Sequence, residues 1–201
     1  MTPETPETPG TPAVSGQSRR GRRRREELGA AGVQLLGESG WASLTTRAVA
    51  KRSGANPGLV HYYWGGLPGF RAEVAQRAVA DAFDPALDLL TSARSWPQGL
   101  AAVVRAGNDL SPAEANIGAE LIAASLRDPV VAELVRTALS DARITLSSWL
   151  ADSGVADPEG IAILLLATLD GLLLHRLVDP GLPVAPVASA AARLRAPSSG
   201  A

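Results

Sequence analysis

Apolar residues recur at spacings of three and four along most of the chain, and no stretch sustains the one-in-two alternation of a half-buried strand. The pattern predicts an all-α protein. A first helix covers about Arg23–Glu38, with Leu28, Ala31, Leu35 and Leu36 on its inner face, and stops at Gly40. A second, about Thr46–Arg52, takes Thr45 or Thr46 as N-cap behind the apolar Leu44. Gly54 closes it. Pro57 then stands where a third helix would begin, about Pro57–Tyr63, which Gly65 and Gly66 stop. A fourth runs from near Pro68 to about Phe83. After Asp84-Pro85 the helices lengthen, to about Ala86–Ser95, Pro97–Asn108, Pro112–Leu126, Pro129–Ala151, Pro158–Val178 and Val184–Arg195. Prolines lie at or just inside most of those starts, where a missing N–H costs nothing.

Composition divides the chain further. Residues 1–18 are rich in Thr, Pro and Glu and hold too few apolar groups to fold. The run RRGRRRR at 19–25 follows, so residues 1–22 are expected to form a disordered basic arm. Residues 23–83 are expected to form one unit of short helices, and residues 84–196 a second unit of long ones. The net charge of −1 hides an asymmetry: residues 1–80 carry 11 basic and 6 acidic side chains, and residues 81–201 carry 8 and 14. Only the N-terminal part is suited to meet a polyanion.

The third predicted helix concentrates the chemistry. Two short helices joined by Ser-Gly-Ala-Asn and preceded by a longer one have the dimensions of a helix-turn-helix. At 100° per residue, Val60 and Trp64 share one face and Gly58 and Tyr62 the opposite one, with His61 beside them and Tyr63 between the two sides. Trp64 is thereby assigned to the core, while Tyr62 and His61 offer donors to phosphates and base edges. Thr45, Thr46 and Asn56 lie at helix N-termini, where free N–H groups favour a phosphate. Arg47 adds charge on the second helix, and Pro57 starts the third. The arginine run is expected to touch phosphates or enter a minor groove.

Residues 29–74, GAAGVQLLGESGWASLTTRAVAKRSGANPGLVHYYWGGLPGFRAEV, resemble the DNA-binding domain of the tetracycline-repressor (TetR) family. The resemblance lies in the order of a first helix, glycine plus an aromatic, Thr-Thr, an Ala-Val-Ala helix, a glycine-containing turn and a short aromatic helix. It implies DNA contacts for Thr46, Asn56, Gly58, His61, Tyr62 and Tyr63. Trp64 matches the phenylalanine that usually ends the motif, and His61 stands where tyrosine is usual. Leu67 occupies a position that commonly carries a backbone-clamping lysine, so that charge is missing here.

For the C-terminal unit the resemblance implies an all-helical effector-binding and dimerisation domain. The sequence supports part of this directly, because residues 158–178 are apolar nearly all the way round and need cover on more than one side. A homodimer through 158–178 and 184–195, as a two-fold four-helix bundle, meets that need. Polar or aromatic groups on apolar helices, namely Trp96, Arg105, Asn108, Glu120, Trp149 and His175, are the candidates for contact with a small, mostly apolar effector. With two histidines and no cysteine, no metal site, cofactor site or nucleophile is visible, so an enzyme is not expected. The N-terminus lacks the apolar core of a signal peptide, and the run Ile161–Leu169 is shorter than the ~20 residues of a membrane helix. A cytoplasmic, homodimeric repressor of a pseudo-palindromic operator is the expected function. An activator, or an architectural DNA-binding protein without an effector, would share these features.

Overall fold

The structure, a computed structural model, describes residues 14–183 and 185–193. Among the described residues there are nine α-helices and no strand. They are α1 (Val14–Ser39), α2 (Thr46–Ser53), α3 (Gly58–Trp64), α4 (Leu67–Thr91), α5 (Trp96–Asn108), α6 (Pro112–Ser125), α7 (Pro129–Asp152), α8 (Pro158–Val178) and α9 (Ala185–Arg193), with a 3-10 turn at Trp41–Ser43 before α2.

The ends that the sequence punctuates are where the caps place them. Thr45 Oγ1 accepts from the Ala48 N–H, Asp128 caps α7, Asp157 caps α8, and Ser111 and Glu114 exchange hydrogen bonds as a capping box on α6. Gly54 and Gly65 close α2 and α3 in the left-handed region, with φ of 61° and 70°, a conformation that costs a residue with a Cβ roughly 1 kcal/mol.

Two helices differ from expectation. The first begins at Val14, so the arginine run lies on a helix and not in a disordered arm. Ion pairs Arg23–Glu27 (2.9 Å) and Arg24–Glu27 (3.0 Å) hold the end of the arginine run one turn from its carboxylate partner. Residues 1–13 of the expected arm lie outside the described residues. The second difference is α4, which passes through Asp84-Pro85 without a break. Proline removes one intrahelical donor, but Asp81, Asp84 and Pro85 are all exposed, so the orphaned carbonyl is open to solvent. Buried Val74 and Ala78 on one side of the proline and buried Leu90 on the other anchor the helix on both flanks. The separate helix expected at Ala86–Ser95 is therefore the C-terminal part of α4.

Two apolar cores stack along α4. The first joins Leu28, Leu36, Val49, Val60 and Phe70 of α1–α4 to Leu121, Val131 and Val135 of α6 and α7. The second joins Leu90 to Trp96, Leu100, Leu146 and Leu165 of α5, α7 and α8. The expected boundary at residue 84 thus falls inside a helix, and α6 and α7 share the core of the N-terminal unit. Helix α8, at 21 residues with a window hydropathy of 1.9, is long and apolar enough by composition to cross a membrane. Here it packs against α7, α6 and α5, while Ile163, Leu164, Leu174 and Val178 stay exposed.

Candidate nucleic-acid interface and effector cavity

Helix α3 is seven residues long, and its rotation is fixed from beneath. Val60 is fully buried, and the Trp64 ring meets Phe70 of α4 edge-on at 5.0 Å between centroids. The indole N–H donates to Glu73 Oε2 at 3.0 Å, and the Arg25 guanidinium lies over the ring at 5.6 Å while pairing with the same carboxylate oxygen at 2.7 Å. Glu73 Oε1 accepts from Arg77, which also pairs with Glu26. Burial alone would raise the Glu73 pKa, but hydrogen bonds from Trp64, Arg77 and Arg25 outweigh it and hold the carboxyl below its usual value. The Arg77 hydrogen bond lowers Glu26 likewise.

With Val60 and Trp64 anchored, the opposite face is open. Tyr62 is 78% exposed, and Gly58 and His61 are exposed beside it. Tyr63 is half-buried: its ring meets Trp64 edge-on at 5.6 Å, and its hydroxyl lies next to Gly21 of α1. The arginine-bearing end of α1 therefore comes close to α3 at Tyr63. Asn56 and Pro57 are exposed, and Asn56 Oδ1 accepts from the Gly58 N–H at 2.8 Å to shape the turn into α3. Thr45 and Arg47 are exposed and Thr46 partly so. The Arg71 guanidinium donates twice to the Leu44 carbonyl, at 3.0 and 3.2 Å, and ties the lead-in of α2 to α4. All nine expected contact positions thus lie on α2 with its N-cap Thr45, on α3 and on the turn between them, with Tyr63 more buried than Tyr62 and His61.

A cavity of about 390 Å³ opens between α4, α5, α6, α7 and α8. Phe83 and Leu87 of α4, Val103 of α5, Ile122 of α6, Leu139 of α7 and Leu169 of α8 give it an apolar wall. Small residues on facing helices (Ala86, Gly107, Ala115, Gly118 and Ala142) leave the space. Its size is that of small-molecule sites in general. Two charged side chains reach it, Asp170 and Arg176. Arg176 Nη1 donates to the Gly107 carbonyl at 2.8 Å. Burial raises the Asp170 pKa.

Residues 91–197 match the family described as "Tetracyclin repressor-like, C-terminal domain", and residues 28–66 match "Bacterial regulatory proteins, tetR family". The first match alone covers more than half of the chain. The protein belongs to the TetR family. Its helix-turn-helix and long-helix units are therefore those of a TetR-family DNA-binding transcriptional regulator, and members of the family are regulators, not enzymes. A transcriptional regulator from Streptomyces coelicolor A3(2) shares 26% identity and superposes with a TM-score of 0.70, over 85% of this chain and 97% of that one. One from Rhodococcus sp. Rha1 shares 28% identity at a TM-score of 0.66, over 77% and 84%. A regulator from Saccharomonospora viridis in complex with choline has the same fold, with 19% identity, a TM-score of 0.69 and coverage of 86% and 94%. No curated protein sequence matches the chain.

None of the six positions expected in the TetR-type effector cavity lines it. On α5 the lining is Val103, Val104 and Gly107, which turns Arg105 and Asn108 to the surface. Trp96 is buried in the second core, and Trp149 packs against that core from its edge. His175 is exposed on α8. Glu120 faces away from the cavity, where its Oε2 accepts from the Trp41 N–H at 2.7 Å. That bond and one from Asn116 to the Gly37 carbonyl (3.1 Å) fasten α6 to the corner between α1 and α2. The cavity's own charged pair was legible in one respect. Asp170 interrupts an apolar helix in the row Leu166, Leu169, Asp170, Leu173, Leu177, at the spacing of a single face.

Proposed function

We propose that this TetR-family regulator is a homodimeric, cytoplasmic repressor that leaves its operator when a small, mostly apolar molecule fills the cavity. The observation that carries the DNA-reading part is the rotation of α3, with Val60 fully buried beneath and Tyr62 78% exposed above. In this reading Gly58, His61 and Tyr62 enter a major groove, with Tyr63 at the groove wall. Thr45, Thr46 and Arg47 meet phosphates from α2, and Asn56 and Pro57 do so from the turn.

Dimerisation rests on the uncovered side of α8. Ile163 is 55% and Val178 88% exposed, and Leu164, Gly171 and Leu174 extend the same apolar stripe. Such a stripe suits the identical helix of a second subunit, joined by residues 185–193 of α9; the expected interface residues Val184, Leu194 and Arg195 lie outside the described ones. Two recognition helices would then stand about one DNA turn apart, ~34–36 Å. Coupling to the effector has two routes. Helix α4 carries Phe70 under the recognition helix and Phe83 and Leu87 in the cavity wall. Helix α6 lines the cavity with Ile122 and holds the Trp41 corner with Glu120. The effector shifts the equilibrium by its difference in affinity for the two arrangements. The cavity favours this reading over an architectural protein without an effector.

Selection of fragments bound from the source genome tests the proposal. Inverted repeats with half-sites about one turn apart are expected. Single, unpaired sites or binding without sequence preference would contradict it.

A further inference from the structure

We propose that the cavity selects lipophilic cations, with the Asp170 carboxylate as the counter-charge. The inference rests on the cavity being an effector site, and adds the chemical class of the occupant. Of its two charged side chains only one lacks a partner. Arg176 spends a donor on the Gly107 carbonyl at 2.8 Å. Asp170 enters no ion pair and accepts no hydrogen bond among the described residues. Its neighbours in the cavity wall are Leu166, Leu169, Leu173 and Leu177 of its own helix, none of which can donate to it.

A partly buried carboxylate beside leucines and without a partner is costlier to ionise than one in water, and a positive charge relieves that cost. Burial pushes its pKa upward, and no nearby cation offsets the shift. The apolar wall rewards a greasy body, and Asp170 rewards a positive end. A neutral ligand satisfies only the first, and an anion beside Asp170 meets a like charge; the Arg176 guanidinium keeps its own charge while it holds the Gly107 carbonyl. An amphiphile with one ammonium group satisfies both. The isosteric Asp170→Asn change removes the charge without opening a hole, so the variant should melt no lower than the parent protein.

Isothermal titration at neutral pH with phenylbutylammonium, phenylbutanol and phenylbutyrate compares three charges on one skeleton. The full-length protein is expected to bind the ammonium at least about tenfold more tightly than the alcohol, and the carboxylate least well. Asp170→Asn should lower ammonium affinity about tenfold and leave the alcohol within about twofold. Equal binding of alcohol and ammonium, a preference for the carboxylate, or an undiminished ammonium preference in Asp170→Asn overturns the charge assignment and leaves the cavity as an apolar site. Failure of all three probes to bind overturns the charge assignment and the effector reading together.

Discussion

At the scale of single residues, the recognition helix is oriented by Trp64 and displayed through Tyr62. The indole has an apolar contact below, Phe70, and a polar one beside it, Glu73, so removing it leaves a cavity and takes one of three donors from the carboxylate. Trp64→Ala should destabilise the protein by about 3 kcal/mol, read from denaturant unfolding. A loss below about 1 kcal/mol would mean that α3 is held by its neighbours instead. Glu73 and Glu26 make this anchor sensitive to acid. Both carboxyls titrate below their ordinary values in the folded protein, so they bind protons more readily when unfolded. Their contribution is complete above the unfolded pKa and disappears as pH falls through the folded one. The melting temperature should drop between about pH 5 and pH 3, and Glu73→Gln should flatten that drop. An unchanged acid profile in Glu73→Gln would remove the network from the account.

At the scale of elements, short helices bounded by cap residues were legible and continuous ones were not. Thr45, Gly54 and Gly65 state the ends of α2 and α3 chemically, and Pro158 states the start of α8. Pro85 carries the same signal as those breaks, yet α4 overrides it, because packing on both flanks and exposure of Asp81 are tertiary facts. Likewise Leu87 in a cavity wall and Leu90 in a core have the same composition and period, so no pattern separates them. Glu120 misses the cavity for a related reason: beside Asn116 it serves a helix joint, which a single helix cannot reveal. The helical start of α1 also changes the expected role of the arginine run. Arg23, Arg24 and Arg25 are engaged with Glu27 and Glu73, whereas Arg20 and Arg22 are exposed. Replacing Arg20 and Arg22 by alanine should reduce the slope of log affinity against log salt by about 2 if each meets a phosphate. An unchanged slope would leave this end of α1 off the DNA.

At the scale of the whole molecule, three surfaces are linked by two helices. The reading face lies on α3, the cavity lies among α4–α8, and the apolar stripe lies on α8. Because α4 carries both Phe70 and Leu90, the proposed ligand and DNA would act on opposite ends of one rod. In the proposed dimer the stripe decides whether two such rods work together. Ile163→Glu should give monomers in sedimentation while the cavity is kept, and the monomer should bind a full operator far more weakly, since one half-site cannot supply the contacts of two. A dimer that survives Ile163→Glu would move the interface off α8. The most direct test of the central claim, that the outward face of α3 reads DNA, is operator affinity for Tyr62→Ala set beside its melting temperature and dimer mass. The account predicts a loss of tenfold or more, about 1–3 kcal/mol, with stability and dimer unchanged. Unaltered affinity would contradict it.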